Sequence, residues 1–457
     1  MNPRLCKLLG KELSNVASGE KLTTAELCSE NCSVGLLFIT DEDTSTEHSK
    51  KLKDLRDSLV QLHGELKRRS DVSFEVVLIP MNQASCPEDS TTGIKQLFSQ
   101  EDCPFLLISS EKAERIQGYL ARKYGIQDVT SFILIDGTST DVIVFDAKEK
   151  VLQDPKGTQF PWRYPTCSEI LDSGQLLQSP SFGSNQSSKT ENQSKTNSSV
   201  SVVTDFDSIR TPFKALFFAA FWCPPCKSFL TALIDAYERI NKDEQKLTII
   251  FVSSDRSQES FNRFFASMPW FAIPYEDEKR REVLTKAYNV KAIPNLTLLD
   301  DKDRIITTEG RLEVNDDLDG IEFPWYPSIV DELRDRHSTT LNNSLCVIYF
   351  TDDSETDFEK AEAILTPLAT EIAKSPIEEA CEPKFFVAAD SDLAESLRIF
   401  MDLDETRSYL VIMDVSNFRY AVQPPEIKDV SESSVKEFLR NFQSKKLTFK
   451  YIQSRFV

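Results

Sequence analysis

Nine short apolar runs, falling into three sets of three, constrain this chain more than any other feature. "VGLLFIT" (Val34 to Thr40), "ALFFAAF" (Ala215 to Phe221) and "LCVIYF" (Leu345 to Phe350) each precede a charged or polar helical segment. "FEVVLIP" from Phe74, "LTIIFVSSD" from Leu247 and "PKFFVAAD" from Pro383 follow as second runs, with "SFILIDG" from Ser131, "NLTLLDD" from Asn295 and "SYLVIMD" from Ser408 as thirds. Apolar segments of this length read as strands buried on both faces. Two tails also match, "QFPWRYP" at Gln159 and "EFPWYP" at Glu322. Three copies of one α/β domain account for the pattern, and 457 residues suffice for three cores. Between the first two copies, "SPSFGSNQSSKTENQSKTNSS" (Ser179 to Ser199) has almost no large apolar residue and reads as a flexible linker. The expected boundaries are therefore 1–178, a linker at 179–200, 201–336 and 337–457.

Composition narrows the partners. A formal net charge of −20 repels phosphate backbones and anionic lipid, so neither nucleic acid nor a membrane is expected, and protein partners are. The longest apolar run, Ala215 to Trp222, is too short to span a bilayer. No signal peptide is expected from "MNPRLCKLLGKELSNV", and "YIQSRFV" carries no retrieval tetrapeptide. Ten cysteines without a regular framework suit a reducing compartment.

The chemistry concentrates in the middle copy, where "FFAAFWCPPCKSFLTALIDAY" sets Cys223 and Cys226 one helical turn apart. Pro224 and Pro225 are suited to a first helical turn, and the residue before a proline is pushed out of helical conformation, so the helix starts at the cysteines. Unpaired N–H groups at that start, those of Cys226 and Lys227, and the helix dipole favour an anionic Cys223 sulfur. Its pKa is expected to fall, with Cys223 attacking and Cys226 resolving the mixed disulfide. Leu230, Leu233, Ile234 and Tyr237 continue as one apolar stripe. A second helix is expected from a Ser257 cap to Pro269, a third over Asp277 to Tyr288, a hairpin turn at Asp300 to Asp303, and a last helix from Ser328. This is a thioredoxin-type order. Pro294, just before a strand, is expected to be cis and to face the sulfurs.

These residues resemble a known family. "FWCPPCKSFL", "IIFVSSDRSQESFNRFFASMPWFAIPYEDEKRR", "YNVKAIPNLTLLD" and "EGRLEVNDDLDGIEFPWYP" are similar to the middle domain of the nucleoredoxins and, more distantly, to the tryparedoxins. The resemblance implies three tandem thioredoxin-like domains with a redox-active centre in the middle one. It implies protein disulfide reduction, a place in cytoplasm and nucleus, and partners among signalling proteins of the Wnt pathway such as Dishevelled. It gives redox roles to Cys223 and Cys226 and a substrate-side wall to Trp222, Trp270 and Ile293, with Pro224, Pro225 and a cis Pro294 beside them. The Cys223–Cys226 disulfide itself carries the chemistry without a bound cofactor, with electrons arriving from NADPH through a reductase system.

Departures and alternatives remain. Phe217 stands where many thioredoxins keep a buried Asp, so a proton leaving Cys226 needs water or another group. The first copy reads "DEDTSTEHSK" and "DVTSFIL", and the third "TDDSETDFEK" and "DETRSYL", where the pair and its proline would stand. Both outer copies are expected to be redox-silent. A CxxC pair can be half a zinc site, but there is no second CxxC, and His48, His63 and His337 lie in other segments. Cys28 and Cys32 precede a strand and read as loop thiols, and the remaining cysteines as structural. Arg311 is a surface arginine or a contact for an anionic peptide. The alternative to an enzyme is a redox-sensitive scaffold with little turnover. An oxidising foldase would require a secretory route.

Overall fold

The structure, a computed structural model, describes residues 3–27, 32–40, 48–69, 72–81, 92–98, 103–108, 113–126, 130–179, 201–203, 210–352, 354–374, 383–404, 406–415, 418–424, 430–444 and 446–452. Among the described residues twenty strands build three sheets. The first contains β1 (Glu12–Asn15), β2 (Lys21–Thr23), β3 (Cys32–Ile39), β4 (Ser73–Pro80), β5 (Leu106–Ile108), β6 (Ser131–Asp136) and β7 (Val142–Val144). The second contains β8 (Leu176–Gln178), β9 (Ser201–Val203), β10 (Phe213–Ala219), β11 (Leu247–Ser253), β12 (Phe271–Ala272), β13 (Asn295–Leu299) and β14 (Ile305–Thr307). The third contains β15 (Val330–Glu332), β16 (Leu345–Phe350), β17 (Lys384–Ala388), β18 (Tyr409–Asp414), β19 (Arg419–Val422) and β20 (Lys450–Tyr451).

The three sets of apolar runs occupy the same places in each sheet. β3, β10 and β16 each pair parallel with the strand that follows the next helix, β4, β11 and β17. Each pairs antiparallel on its other edge with β6, β13 and β18. Central strands of this kind are covered on both faces, which is why β3, β11 and β16 are buried along their whole length. In the second sheet one face carries Phe217, Phe251, Phe261, Phe265 and Trp270, and the other Leu216, Phe218, Ile250 and Val252.

Two boundaries differ from the sequence expectation. Residues 163–327 form one compact unit, and 1–162 with 328–457 the other. The helix Cys167–Asp172 and β8, expected in the first copy, belong to the second sheet, where β8 pairs antiparallel with β12. Buried polar groups secure them. Lys214, fully buried, reaches Asp303 at 2.6 Å and the Ser168 hydroxyl at 3.2 Å, and Asp303 accepts the Ser168 N–H at 2.9 Å. The buried Arg280 guanidinium donates to the carbonyls of Leu171 and Gln175. The expected linker is likewise not a junction between domains. β8 and β9 are antiparallel partners, with Gln178 opposite Ser201, so the polar stretch connects two strands of one hairpin. Residues 180–200 themselves lie outside the described residues. At the other boundary, Ser328 opens no helix. The last helix of the second unit is Gly310–Asp316, and the chain after Ser328 enters β15, which pairs parallel with β17 of the third sheet.

The matching tails form matching corners. The Phe160–Pro161 and Phe323–Pro324 bonds are both cis, and Trp162 and Trp325 have φ of 54° and 55°. Each indole N–H donates to an aspartate eight residues earlier, Trp162 to Asp154 at 3.0 Å and Trp325 to Asp317 at 2.9 Å. Each carboxylate also accepts two backbone N–H groups just ahead of the proline, of Thr158 and Gln159 or of Ile321 and Glu322. Gly157 and Gly320, with φ of 61° and 66°, make the turns.

Candidate redox site

The helix Pro224–Ile240 begins where the prolines require. Cys223 is its N-cap with extended backbone (φ −93°, ψ 107°), and Pro224 and Pro225 fill the first two helical positions. Cys223 and Cys226 are joined in a disulfide, their Cα atoms 5.3 Å apart. The Cys226 N–H is shared between the Cys223 sulfur at 3.3 Å and the Cys223 carbonyl at 3.1 Å. The second expected donor goes elsewhere: the Lys227 N–H takes the Cys223 carbonyl at 3.3 Å, continuing the helical ladder. One backbone donor therefore faces the sulfur.

Accessibility divides the pair. Cys226 is fully buried and Cys223 is 5% exposed, flanked in sequence by the exposed Pro224, Pro225 and Trp222, the last 49% exposed. The peptide bond between Ile293 and Pro294 is cis, and the Ile293 carbonyl oxygen lies 3.8 Å from the Cys223 sulfur. Ile293 and Pro294 are both half-buried. Since Pro294 directly precedes β13, and β13 is the antiparallel partner of β10, the sheet register sets this loop against the cysteine turn.

Trp270 is not part of the wall. It is fully buried in the core, edge-on to Tyr237 at 5.4 Å and to Phe217 at 6.3 Å, and its indole N–H has no partner among the described residues. It directly precedes β12, and its ring packs against Tyr237 of the cysteine helix and Phe217 of β10 rather than over the sulfurs. Phe217 is equally buried and packs against Phe229 of the cysteine helix at 5.9 Å, so no carboxylate stands at that position.

A carboxylate that the sequence reading passed over supports the site from another side. Asp255, buried after β11, accepts the Phe221 N–H at 2.9 Å and the Ser253 hydroxyl at 2.9 Å. Burial raises its pKa, against the hydrogen bonds from Phe221 and Ser253 and the charge of Arg281. The Trp222 indole N–H donates to the Ser254 carbonyl at 3.2 Å, and Arg281 donates to the Ser253 carbonyl at 2.8 Å. The loop "SSDR" thus fixes the two residues ahead of Cys223. Polar residues directly after a central strand are the signal that could have pointed to it.

The other cysteines are placed differently. Cys32 lies in β3, Cys103 is buried, and Cys6 is half-buried. Cys167 and Cys346 are deep in their cores, and burial pushes both thiols up to about 12. Cys28, Cys86 and Cys381 lie outside the described residues. Arg311 is exposed on the helix Gly310–Asp316. Among the described residues no group of three His, Cys, Asp or Glu side chains is arranged to hold a metal, and no helix is long and apolar enough to cross a membrane.

A helix-capping cysteine pair at the carboxyl edge of a mixed sheet, facing a proline loop, defines a thioredoxin-like protein, and a thioredoxin-like family model matches residues 214–306. The whole chain is similar to nucleoredoxin of Xenopus laevis, 32% identical over 448 residues and 97% of each chain. Human nucleoredoxin is 35% identical over 351 residues, 76% of this chain and 75% of that one. The chain belongs to the nucleoredoxin family. Among solved structures, tryparedoxin II complexed with glutathionylspermidine matches 28% of this chain and 88% of its own, at 35% identity and a TM-score of 0.27.

Proposed function

We propose that this chain is a protein dithiol–disulfide oxidoreductase that acts as a reductant. The observation that carries the reading is the bonded Cys223–Cys226 pair at a helix start, with the outer sulfur between exposed neighbours in sequence and facing a backbone donor. In the reduced protein the Cys223 thiolate attacks a client disulfide, forming a mixed disulfide and releasing one client thiol, which takes its proton from solvent. Cys226 then gives up its proton and attacks Cys223, the second client thiol leaves, and two electrons have passed to the client. Buried Cys226 attacks only its neighbour, which limits the mixed disulfide to a passing intermediate. Thioredoxin-like pairs have potentials near about −270 mV, against a cytosolic poise near or below that, so the resting form in such a compartment is the dithiol. Electrons arrive from NADPH through a reductase system, and no bound cofactor is required.

The outer two domains are degenerate thioredoxin-like domains that hold clients, among them Dishevelled-like signalling proteins of the Wnt pathway, in cytoplasm and nucleus. In the third sheet the helix matching the cysteine helix starts with Ser354 and Asp357 in place of the cysteines, which favours binding over chemistry there. The same feature supports a second reading, a redox-sensitive scaffold with little turnover. Reduction of insulin disulfides by the purified protein tests the first reading. Cys223→Ser should abolish it, and Cys226→Ser should trap clients as mixed disulfides whose identification by mass spectrometry reports compartment and pathway. Undiminished reduction by Cys223→Ser would leave the scaffold as the better account.

A further inference from the structure

The chain carries a formal net charge of −20, yet the surface beside the redox pair is cationic. Lys227 Nζ lies 3.8 Å from the centre of the Phe221 ring, and the Arg263 guanidinium 4.8 Å from the same ring. The Arg256 guanidinium lies 5.0 Å from the centre of the Trp222 ring. Phe221 and Trp222 immediately precede Cys223, so three segments bring one cation each to the approach to the sulfur: the cysteine helix, the loop after β11, and the helix Gln258–Phe265.

All three cations are exposed, and among the described residues none forms an ion pair. Neighbouring acids leave them open. Asp255, adjacent to Arg256, is buried with its oxygens on Phe221 and Ser253, and Glu259, between Arg256 and Arg263, pairs with neither. Elsewhere in the same unit cations do take carboxylates, as Arg280 with Asp277, Arg304 with Asp300 and Lys286 with Glu282. Near the sulfur, aromatic faces hold the cations instead. A ring beneath a guanidinium fixes its plane and leaves its N–H edge free, the geometry that suits a carboxylate in two-point contact.

We infer that Lys227, Arg256 and Arg263 select the client: the site takes disulfides flanked by Asp or Glu on a polypeptide. The inference rests on the reductase reading above. An acidic client is repelled by the net charge of the chain and attracted at this approach, so the field both orients it and brings its disulfide to Cys223.

The test uses the full chain, reduced and desalted, mixed with peptides that each contain one intramolecular disulfide. The peptides differ only in the flanking residues, Asp and Glu, Asn and Gln, or Lys and Arg. Quenched samples give the second-order rate of peptide reduction. At about 0.01 M salt, where the Debye length is about 30 Å, the acidic peptide should react roughly tenfold faster than the neutral one. At about 1 M, where that length is about 3 Å, the ratio should fall to roughly two or less. Lys227→Gln, Arg256→Gln and Arg263→Gln combined should bring the low-salt ratio close to one. The ratio is internal to each protein, and the salt dependence of the unaltered chain decides the matter even if the triple variant fails to fold. Equal reduction of acidic and neutral peptides, or a preference indifferent to salt, overturns the selection while leaving the reductase intact. No reduction of any peptide overturns both.

Discussion

The starts of two matching helices, one after β10 and one after β16, show what one backbone arrangement can be used for. In the second sheet the cap is Cys223, and the N–H of Cys226 points to its sulfur at 3.3 Å. In the third sheet the helix Glu355–Lys374 starts after Ser354, and the N–H of Asp357 points to its hydroxyl at 3.2 Å. The spacing is the same and the third helical residue is buried in both. The residue just before the antiparallel partner strand also corresponds, Pro294 before β13 and Ser408 before β18. The chemistry diverges. Asp357 accepts hydrogen bonds from the Tyr349 hydroxyl at 2.9 Å, the Asp352 N–H at 3.0 Å and the Ser408 hydroxyl at 2.7 Å. A sulfur at that place holds a reversible covalent bond, whereas a carboxylate holds a closed network. The same orphan N–H groups that favour a thiolate also favour any capping oxygen, so the fold supplies the geometry and the residue pair decides between reactivity and stability.

The largest difference should be in turnover. Cys223→Ser gives the second sheet the cap of the third and should lower insulin reduction to the uncatalysed background, while Ser354→Ala should leave the rate per folded molecule unchanged. A smaller but still wide gap is expected between thiols. In the reduced protein Cys223 should ionise below the roughly 8.5 of a free cysteine, whereas Cys346 is pushed up to about 12 by burial. Alkylation at neutral pH, followed by peptide mass mapping, should favour Cys223 by roughly a thousandfold or more. Equal labelling would remove the physical basis of the site.

Stability tests act on the other side of the comparison. Asp357→Ala removes the buried carboxylate that accepts from the Tyr349 hydroxyl, the Asp352 N–H and the Ser408 hydroxyl, and should lower the unfolding free energy by about 2–4 kcal/mol, read from the denaturant midpoint. Ser354→Ala removes the cap and the exposed hydroxyl's bond to Asp352, and should cost about 1 kcal/mol. The smallest effect belongs to the corner at Trp162. Burial raises the Asp154 carboxyl, but donors from Gln159, Trp162 and Thr158 outweigh it and bring it to about 2. Because the folded value lies below the unfolded one, this stabilisation is full above about pH 4 and is lost as pH falls toward about 2. Discounted for solvent screening it is worth about 1 kcal/mol or less. The stability difference between the unaltered protein and Asp154→Asn should therefore shrink on acidification over that range, and a difference independent of pH would contradict the role given to the carboxylate.

The start of the cysteine helix was legible because it is governed by neighbours in sequence. Two prolines and a preceding extended residue restrict a handful of torsions, and Ser257 and Asp277 cap the next two helices through the same local rule. The matching "FPW" tails were visible as a repeat, but not the reason for it, since the indole-to-aspartate bond spans a turn closed by a left-handed glycine. Trp270 could not be placed from its surroundings in sequence. An aromatic residue before a strand has two faces to choose from, and only the packing of Phe217 and Tyr237 chose the core.

By itself the sequence determined the three strand sets, the helix start at Cys223 and the spacing that lets two sulfurs meet, because these depend on burial pattern and on torsions a few residues apart. Tertiary structure alone decided that Cys167–Gln178 joins the second sheet, that the strands on either side of the polar stretch pair with each other, and that Asp255, Lys227, Arg256 and Arg263 gather around the cysteine turn. Such choices depend on which sheet edge is free and which side chains from distant segments fill the same space, and neither is written in any one stretch of chain.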